Sequence, residues 1–346
     1  MAIKVMIVDD SNFMRKAISS LLTSDNRIEV TSLVGSGEEA LRMINSVNPD
    51  VITLDFNLTG MNGLETLEKI MDVKPTPVIM FSGYTKKGAD ITLKALNAGA
   101  IDFVAKPHGC LSLDLSAVRD ELIEKVLASV LAKVKMRKKK VEIKVSPEEK
   151  KVVKLSNPEA SILFIASSTG GVQALGKVVP LLPASLPMPV VVVQHMPPLF
   201  TESLATSLDS MSPLKVKEAE DNDVLTAGKV FIAPGGWHLK VFQSGKEKKV
   251  TLDKEPVGST LKPCADVSMA TIASIYKGNS LCVILTGMGD DGTKGASLIK
   301  NAGGRILAQD EATSTIYGMP RSVIEAGFAD AVLPLDKISN HIINLL

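Results

Sequence analysis

Residues Ile162–Gly171 read ILFIASSTGG. A continuous apolar run that ends in two serines, a threonine and two glycines predicts a buried strand turning directly into a helix. Two further stretches follow the same plan, Pro189–Pro198 (PVVVVQHMPP) and Leu281–Gly292 (LCVILTGMGDDG). Each sets a reactive candidate just past its apolar run: Ser168, then His195, then Asp290 or Asp291. In open α/β sheets the carboxyl ends of neighbouring strands share one crevice, so residues far apart in sequence can meet there. A serine hydroxyl becomes a nucleophile when a histidine takes its proton and a carboxylate orients that histidine. Alone, Ser-Thr-Gly-Gly could cap a helix and His195 could be structural. Together the three segments predict a serine hydrolase. It is not a standard α/β-hydrolase: Ala166-Ser167-Ser168-Thr169-Gly170 lacks the first glycine of G-x-S-x-G, and Ser…His…Asp is a different chain order.

Outward from this region the chain divides. Its 346 residues exceed one ordinary core and suggest two domains. The first hundred residues alternate strand-like runs (Ile3–Val8, Glu29–Val34, Val51–Asp55, Val78–Ser82, Ile101–Ala105) with helical patterns. One such pattern, Asn12–Thr23, sets Phe13, Ala17, Ile18, Leu21 and Leu22 on one face, and Leu122–Val134 supplies a fifth helix. Five βα units predict a parallel sheet with helices on both sides. Lys133 through Lys154 then carries ten basic residues against three acids, the signature of a linker. A second βα series starts at Ser161. Within it Lys229–Ala233 reads as a strand, and Leu239–Phe242 with Lys248–Leu252 as an antiparallel hairpin. Helices are expected at Ala265–Ile275, Thr293–Asn301 and Pro320–Glu325, with an amphipathic closing helix at Ile338–Leu346. The expected division is a first domain over 1–125, a helix end and linker over 126–158, and a second domain over 159–346.

Composition bounds the function. Hydrophobic residues at 45% and charged residues at 22% are ordinary for a soluble globular protein. Aromatics at 4% and a net charge of +1 argue against nucleic-acid binding and against electrostatic attachment to a membrane. Cys110, Cys264 and Cys282 lack paired or metal-type spacing. Asp9-Asp10 interrupts any leader-like apolar start, and no apolar run reaches membrane-helix length. A cytoplasmic protein without membrane insertion is expected.

The first domain carries its own chemistry. Asp9 and Asp10 end the first strand, Asp55 the third and Ser82 the fourth, while Lys106 follows the fifth. At one sheet edge three carboxylates would repel, and a hard cation such as Mg²⁺ relieves this. Such a site suits phosphoryl transfer, with Asp55 as nucleophile and Ser82 and Lys106 holding phosphoryl oxygens.

On these residues, 1–125 resembles a response-regulator receiver domain. The resemblance implies phosphorylation of Asp55, a Mg²⁺ site of Asp9, Asp10, Asp55 and the Asn57 carbonyl, and Phe103 as the switch aromatic beside Ser82 and Lys106. It further implies a cis bond at Lys106-Pro107. The loop Phe56–Gly63 departs from the family in lacking a Met-Pro step. Residues 161–346 resemble the catalytic domain of the chemotaxis protein-glutamate methylesterase family (CheB). The motifs are Ala166–Gly171, Gln194-His195-Met196-Pro197 and Leu285–Gly292.

That second resemblance implies Ser168 as nucleophile, His195 as general base and Asp291 as its orienting acid. The Met288 N–H is implied as oxyanion donor, and the Thr169 N–H is set beside it as a second candidate. No cofactor is expected in this site. Ala166 stands where the family commonly has glycine. The implied substrates are glutamyl methyl esters, and some glutamines, on methyl-accepting chemoreceptors, with a chemotaxis histidine kinase as phosphodonor. The implied regulation has the unphosphorylated receiver restricting access to Ser168. Two rivals stand beside this reading. A transcription regulator would need a recognition helix after Ser161, and none is evident; an idle adaptor or phosphate sink would not need the three hydrolase residues. Among other candidates, Cys264 lies at a helix start, Cys282 reads as core, and Trp237-His238 could rim a cleft or anchor a turn.

Overall fold

The computed structural model describes residues 2–106, 118–138, 155, 157, 161–255 and 261–346. The chain separates into two compact units, Met1–Val141 and Glu142–Leu346. The expected Lys106-Pro107 cis bond, Cys110 and most of the basic linker lie outside the described residues.

In the first unit the chain runs β1 (Ile3–Val8), α1 (Asn12–Leu22), β2 (Ile28–Val34), α2 (Gly37–Val47) and β3 (Val51–Asp55). It continues through α3 (Gly63–Val73), β4 (Val78–Gly83), α4 (Lys86–Asn97), β5 (Asp102–Lys106) and α5 (Arg119–Lys138). The strands form one parallel sheet in the order β2-β1-β3-β4-β5. This is the flavodoxin-like arrangement, and its order reverses between β1 and β3. Val5, Ile7, Val51, Ile79 and Phe81 build the core with Ile18 and Leu22 of α1 and Leu122 and Val126 of α5. Helix starts are set by side-chain caps: Ser11, Ser36, Asn62 and Thr85 each accept from a backbone N–H three residues on.

Two expectations need correction here. Phe13 is 57% exposed; the buried stripe of α1 runs through Met14, Ile18 and Leu22, one residue later and so about 100° around the helix. Helix α5 runs on to Lys138, because the basic residues after Val134 are good helix formers and continue it.

The second unit runs β6 (Ile162–Ser167), α6 (Gly171–Val178), β7 (Val190–Gln194), α7 (Phe200–Met211), β8 (Lys215–Glu218) and β9 (Lys229–Ile232). After the hairpin β10 (His238–Ser244) and β11 (Glu247–Asp253) come α8 (Ala265–Tyr276), β12 (Ser280–Ile284), α9 (Thr293–Asn301) and β13 (Arg305–Gln309). α10 (Met319–Glu325), β14 (Ala331–Leu333) and α11 (Leu335–Leu345) complete it. Seven strands form a parallel sheet ordered β14-β13-β12-β6-β7-β9-β8, and β10 pairs with β11 antiparallel. The chain builds outward from β6 in both directions, so the sheet's switch point lies at β6 between β7 and β12. β6, β7 and β12 are fully buried along their length, as expected for strands covered on both faces. Among the described residues no helix is long and apolar enough to cross a membrane.

Candidate functional site

Ser168 follows the last residue of β6, His195 the last of β7, and Asp291 closes the loop after β12, so all three lie at the switch-point crevice. His195 N–H donates to the Ser167 carbonyl (3.1 Å), and Ser168 N–H donates to the Thr286 carbonyl (3.0 Å). These bonds stitch the three strand ends together. Gln194, which is buried, reinforces them. Its Oε1 accepts from Ser167 Oγ at 2.6 Å, and its Nε2 donates to the carbonyls of Ser168 (3.0 Å) and His195 (3.2 Å). Glycine is required at two contacts. A Cβ on Gly287 would lie 2.9 Å from Ser168 Cβ and 2.3 Å from Met319 Sδ, and one on Gly171 would lie 2.0 Å from Gln194 Oε1. Ala166 lies within β6, paired to Ile284 and Val193, not in the turn.

His195 Nε2 lies 2.8 Å from Asp291 Oδ2. Asp290, its neighbour, is exposed. The Asp291 carboxylate also accepts from Ala265 N–H (2.6 Å), Asp266 N–H (2.9 Å) and Cys264 Sγ (3.1 Å). Burial works to raise its pKa, but the hydrogen bond and charge of His195 and the backbone N–H groups prevail and hold it at about 2. An ionised Asp291 at Nε2 favours the tautomer with the proton on Nε2, leaving Nδ1 as the basic nitrogen. The Ser168 hydroxyl is half-buried and forms no hydrogen bond among the described residues. Serine–histidine bonds of this kind often tighten only when substrate binds. Thr169 is buried in the turn, and Met288 is half-buried between Gly287 and Gly289.

Other candidates fall into place. Cys264 is buried against Asp291 and caps the start of α8 by position, so it braces the site as a thiol donor. Cys282 is core, its thiol pushed up by burial. Trp237 is 40% exposed with Lys254 Nζ 4.5 Å from its ring centroid, whereas His238 is fully buried, with neither ring nitrogen hydrogen-bonded. Burial, aided by the charges of Lys262 and Lys240, pushes the His238 imidazole below its usual range.

The acidic site of the first unit lies at the β1/β3 switch point. Carboxylate oxygens of Asp9, Asp10 and Asp55 all fall within 4.8 Å of one another. Lys106 Nζ lies 2.8 Å from Asp55 Oδ2 and 3.3 Å from Asp9 Oδ2. Burial pushes the Asp55 carboxyl up, opposed by Lys106, and its Oδ1 is buried without a partner. An orphaned carboxylate oxygen beside two more carboxylates fits a hard divalent cation. Asn57 is exposed on the following loop, where Thr59 Oγ1 donates to Asp10 Oδ2 at 2.9 Å. Ser82 is buried and tied to α4: Thr92 Oγ1 lies 2.6 Å from Ser82 Oγ and donates to the Gly88 carbonyl at 2.7 Å. Phe103 is buried in β5, with Lys125 Nζ 5.2 Å from its ring centroid.

Both units of the chain match known families. Residues 163–342 match the CheB methylesterase family and residues 5–114 the response regulator receiver domain. A relative from Geobacillus kaustophilus is 45% identical over 350 residues, covering 99% of either chain. One from Pyrococcus abyssi is 42% identical over 345 residues, covering 99% of this chain and 93% of its own. Both are named protein-glutamate methylesterase/protein-glutamine glutaminase. The chain belongs to the CheB methylesterase family. The crystal structure of the Thermotoga maritima CheB methylesterase catalytic domain matches 54% of the chain and 98% of its own length, at 48% identity and a TM-score of 0.53. Sequence reasoning did not single out Gln194, Thr286 or Asp266 as support for this family's site. Gln194 lay within a quoted motif, and an amide at a strand end, just before a reactive histidine, was the available signal.

Proposed function

We propose that this CheB-family response-regulator methylesterase hydrolyses glutamate methyl esters, and deamidates glutamines, on chemoreceptors through Ser168, His195 and Asp291. The observation that carries the reading is the 2.8 Å contact of His195 with ionised Asp291, at the strand switch point that also carries Ser168. Ser168 Oγ attacks the ester carbonyl while His195 Nδ1 takes its proton. The Met288 N–H, with that of Thr169, receives the developing oxyanion. His195 then protonates the departing methoxide, methanol leaves, and a glutamyl ester remains on Ser168. Water, deprotonated by His195, releases the glutamate and restores the serine. A glutamine side chain follows the same course with ammonia as leaving group. An idle adaptor has no use for so constrained a carboxylate–imidazole pair.

In the receiver, Asp55 attacks the phosphorus of a phosphohistidine on a chemotaxis kinase and takes up the phosphoryl group. Asp9, Asp10, Asp55 and the Asn57 carbonyl would hold Mg²⁺, which offsets negative charge on the phosphoryl oxygens when bound. Lys106 and Ser82 bind the transferred oxygens. Ser82 then exchanges its contact with Thr92 and the Gly88 carbonyl for the phosphoryl group, which loosens the start of α4 and raises esterase activity.

A serine-directed fluorophosphonate tests the nucleophile. The expected result is one covalent adduct on Ser168, abolished in H195A. Adduct on another serine, or labelling unaffected by H195A, overturns the assignment.

A further inference from the structure

Helices α8 and α9 both start at the active site, and neither carries a side-chain cap of its own. The N-cap of α8 is Cys264, whose side chain makes no capping hydrogen bond, and that of α9 is Gly292, which has no side chain to offer one. Unpaired N–H groups at a buried helix start are costly and call for acceptors. Each helix obtains its acceptor from the other. Asp291, one residue before the α9 cap, accepts from the Ala265 and Asp266 N–H groups that open α8. Asp266, in the first turn of α8, uses Oδ1 to accept from Gly292 N–H (2.9 Å) and Gly295 N–H (2.7 Å) that open α9. The helices are also tightly packed there: a Cβ on Gly295 would lie 2.5 Å from Met269 Cβ.

We propose that Asp266 is a positioning residue of the hydrolase: through Gly292 and Gly295 it fixes the turn bearing Asp291, so that the Asp291 carboxylate faces His195. This rests on the reading of Asp291 as the partner of a catalytic His195. Gly292 is joined directly to Asp291 and has φ of 98°, so its conformational freedom is wide unless its N–H is held. Without the Asp266 carboxylate, the Gly292 and Gly295 N–H groups lose their acceptor and the Asp291–Gly292 turn can relax. Two carboxylates this close would repel, but each faces a helix start that favours negative charge. Burial, foremost, and the charge of Asp291 push the Asp266 carboxyl up, and the Gly295 and Gly292 N–H groups oppose them.

The test uses full-length protein, a small acyl-phosphate donor and methanol release from membranes bearing methylated receptor. In D266A, kcat should fall about 10–100-fold with KM within about twofold, since a misplacement of about 1 Å disturbs reaction more than binding. D266N should recover most of the loss, because an amide oxygen can accept from the same N–H groups. On a D291N background D266A should cost less than about threefold, because the residue it positions is already disabled. If D266A does not fold, D266S carries the same expectations, its hydroxyl being too short to reach both N–H groups. A kcat within about twofold of the parent, or an equal cost on both backgrounds, would overturn the proposal. Full activity of D291N alone would instead overturn the triad reading beneath it.

Discussion

Asp291 is the carboxylate on which the proposed hydrolase reading turns. Four donors converge on it, and its pKa near 2 lies below the ordinary 3.8. A folded value below the unfolded one means that the ionised form stabilises the fold. That contribution is fully present above about pH 4 and is lost as pH falls through 2, and the depression corresponds to roughly 2–3 kcal/mol. Urea unfolding of the wild type and D291N should therefore show a gap at pH 4 to 5 that shrinks as pH falls to 2. A gap that holds steady to pH 2 would mean that the neighbours do not lower the native carboxyl's pKa. Residue chemistry alone left Asp290 and Asp291 open, and only the family resemblance pointed to Asp291. Their physical difference arises when helix α8, some 25 residues earlier, brings its N–H groups to one of them.

At the scale of elements, the turn after β12 is shaped by Gly287. Ser168 backs directly onto it, and the Gly287 carbonyl accepts from the Gly318 and Met319 N–H groups that open α10. G287A should force Ser168 or Met319 to move, with kcat lower by about 10²-fold or more and a stability loss of about 1–3 kcal/mol. Wild-type kinetics in G287A would show that this contact does not constrain the nucleophile. Strands β6, β7 and β12 were legible because unbroken Val, Ile and Leu runs have few other uses. β8, β13 and β14 were not anticipated. Lys215–Glu218 is four residues at the sheet edge with charge at three positions, and Ala331–Leu333 is only three residues long, so neither offers a periodic signal. Gln194, Thr286 and Asp266 escaped notice for a different reason: their partners are tertiary, and no local spacing encodes which N–H a side-chain oxygen will find.

At the scale of the whole molecule, a receiver and a methylesterase share one chain. The receiver's acidic cluster lies at the switch point of one sheet, with Ser82 and Lys106 at neighbouring strand ends, and Ser168, His195 and Asp291 lie at the switch point of another. Strand-end residues on four of the five βα units made the first legible, and three apolar segments made the second so. The substrate was not encoded in either pattern and came from family resemblance. The central claim is that phosphorylation of Asp55 controls hydrolysis by Ser168. Its most direct test is methanol release from membranes bearing methylated receptor, with and without an acyl-phosphate donor and Mg²⁺, for the wild type, D55N and S168A. Wild-type release should rise about 5–150-fold with donor, the range of a 1–3 kcal/mol coupling. D55N should stay at the basal rate, and S168A should fall by roughly 10⁶-fold under either condition. Release that persists in folded S168A, or a donor response that survives in D55N, would contradict the account.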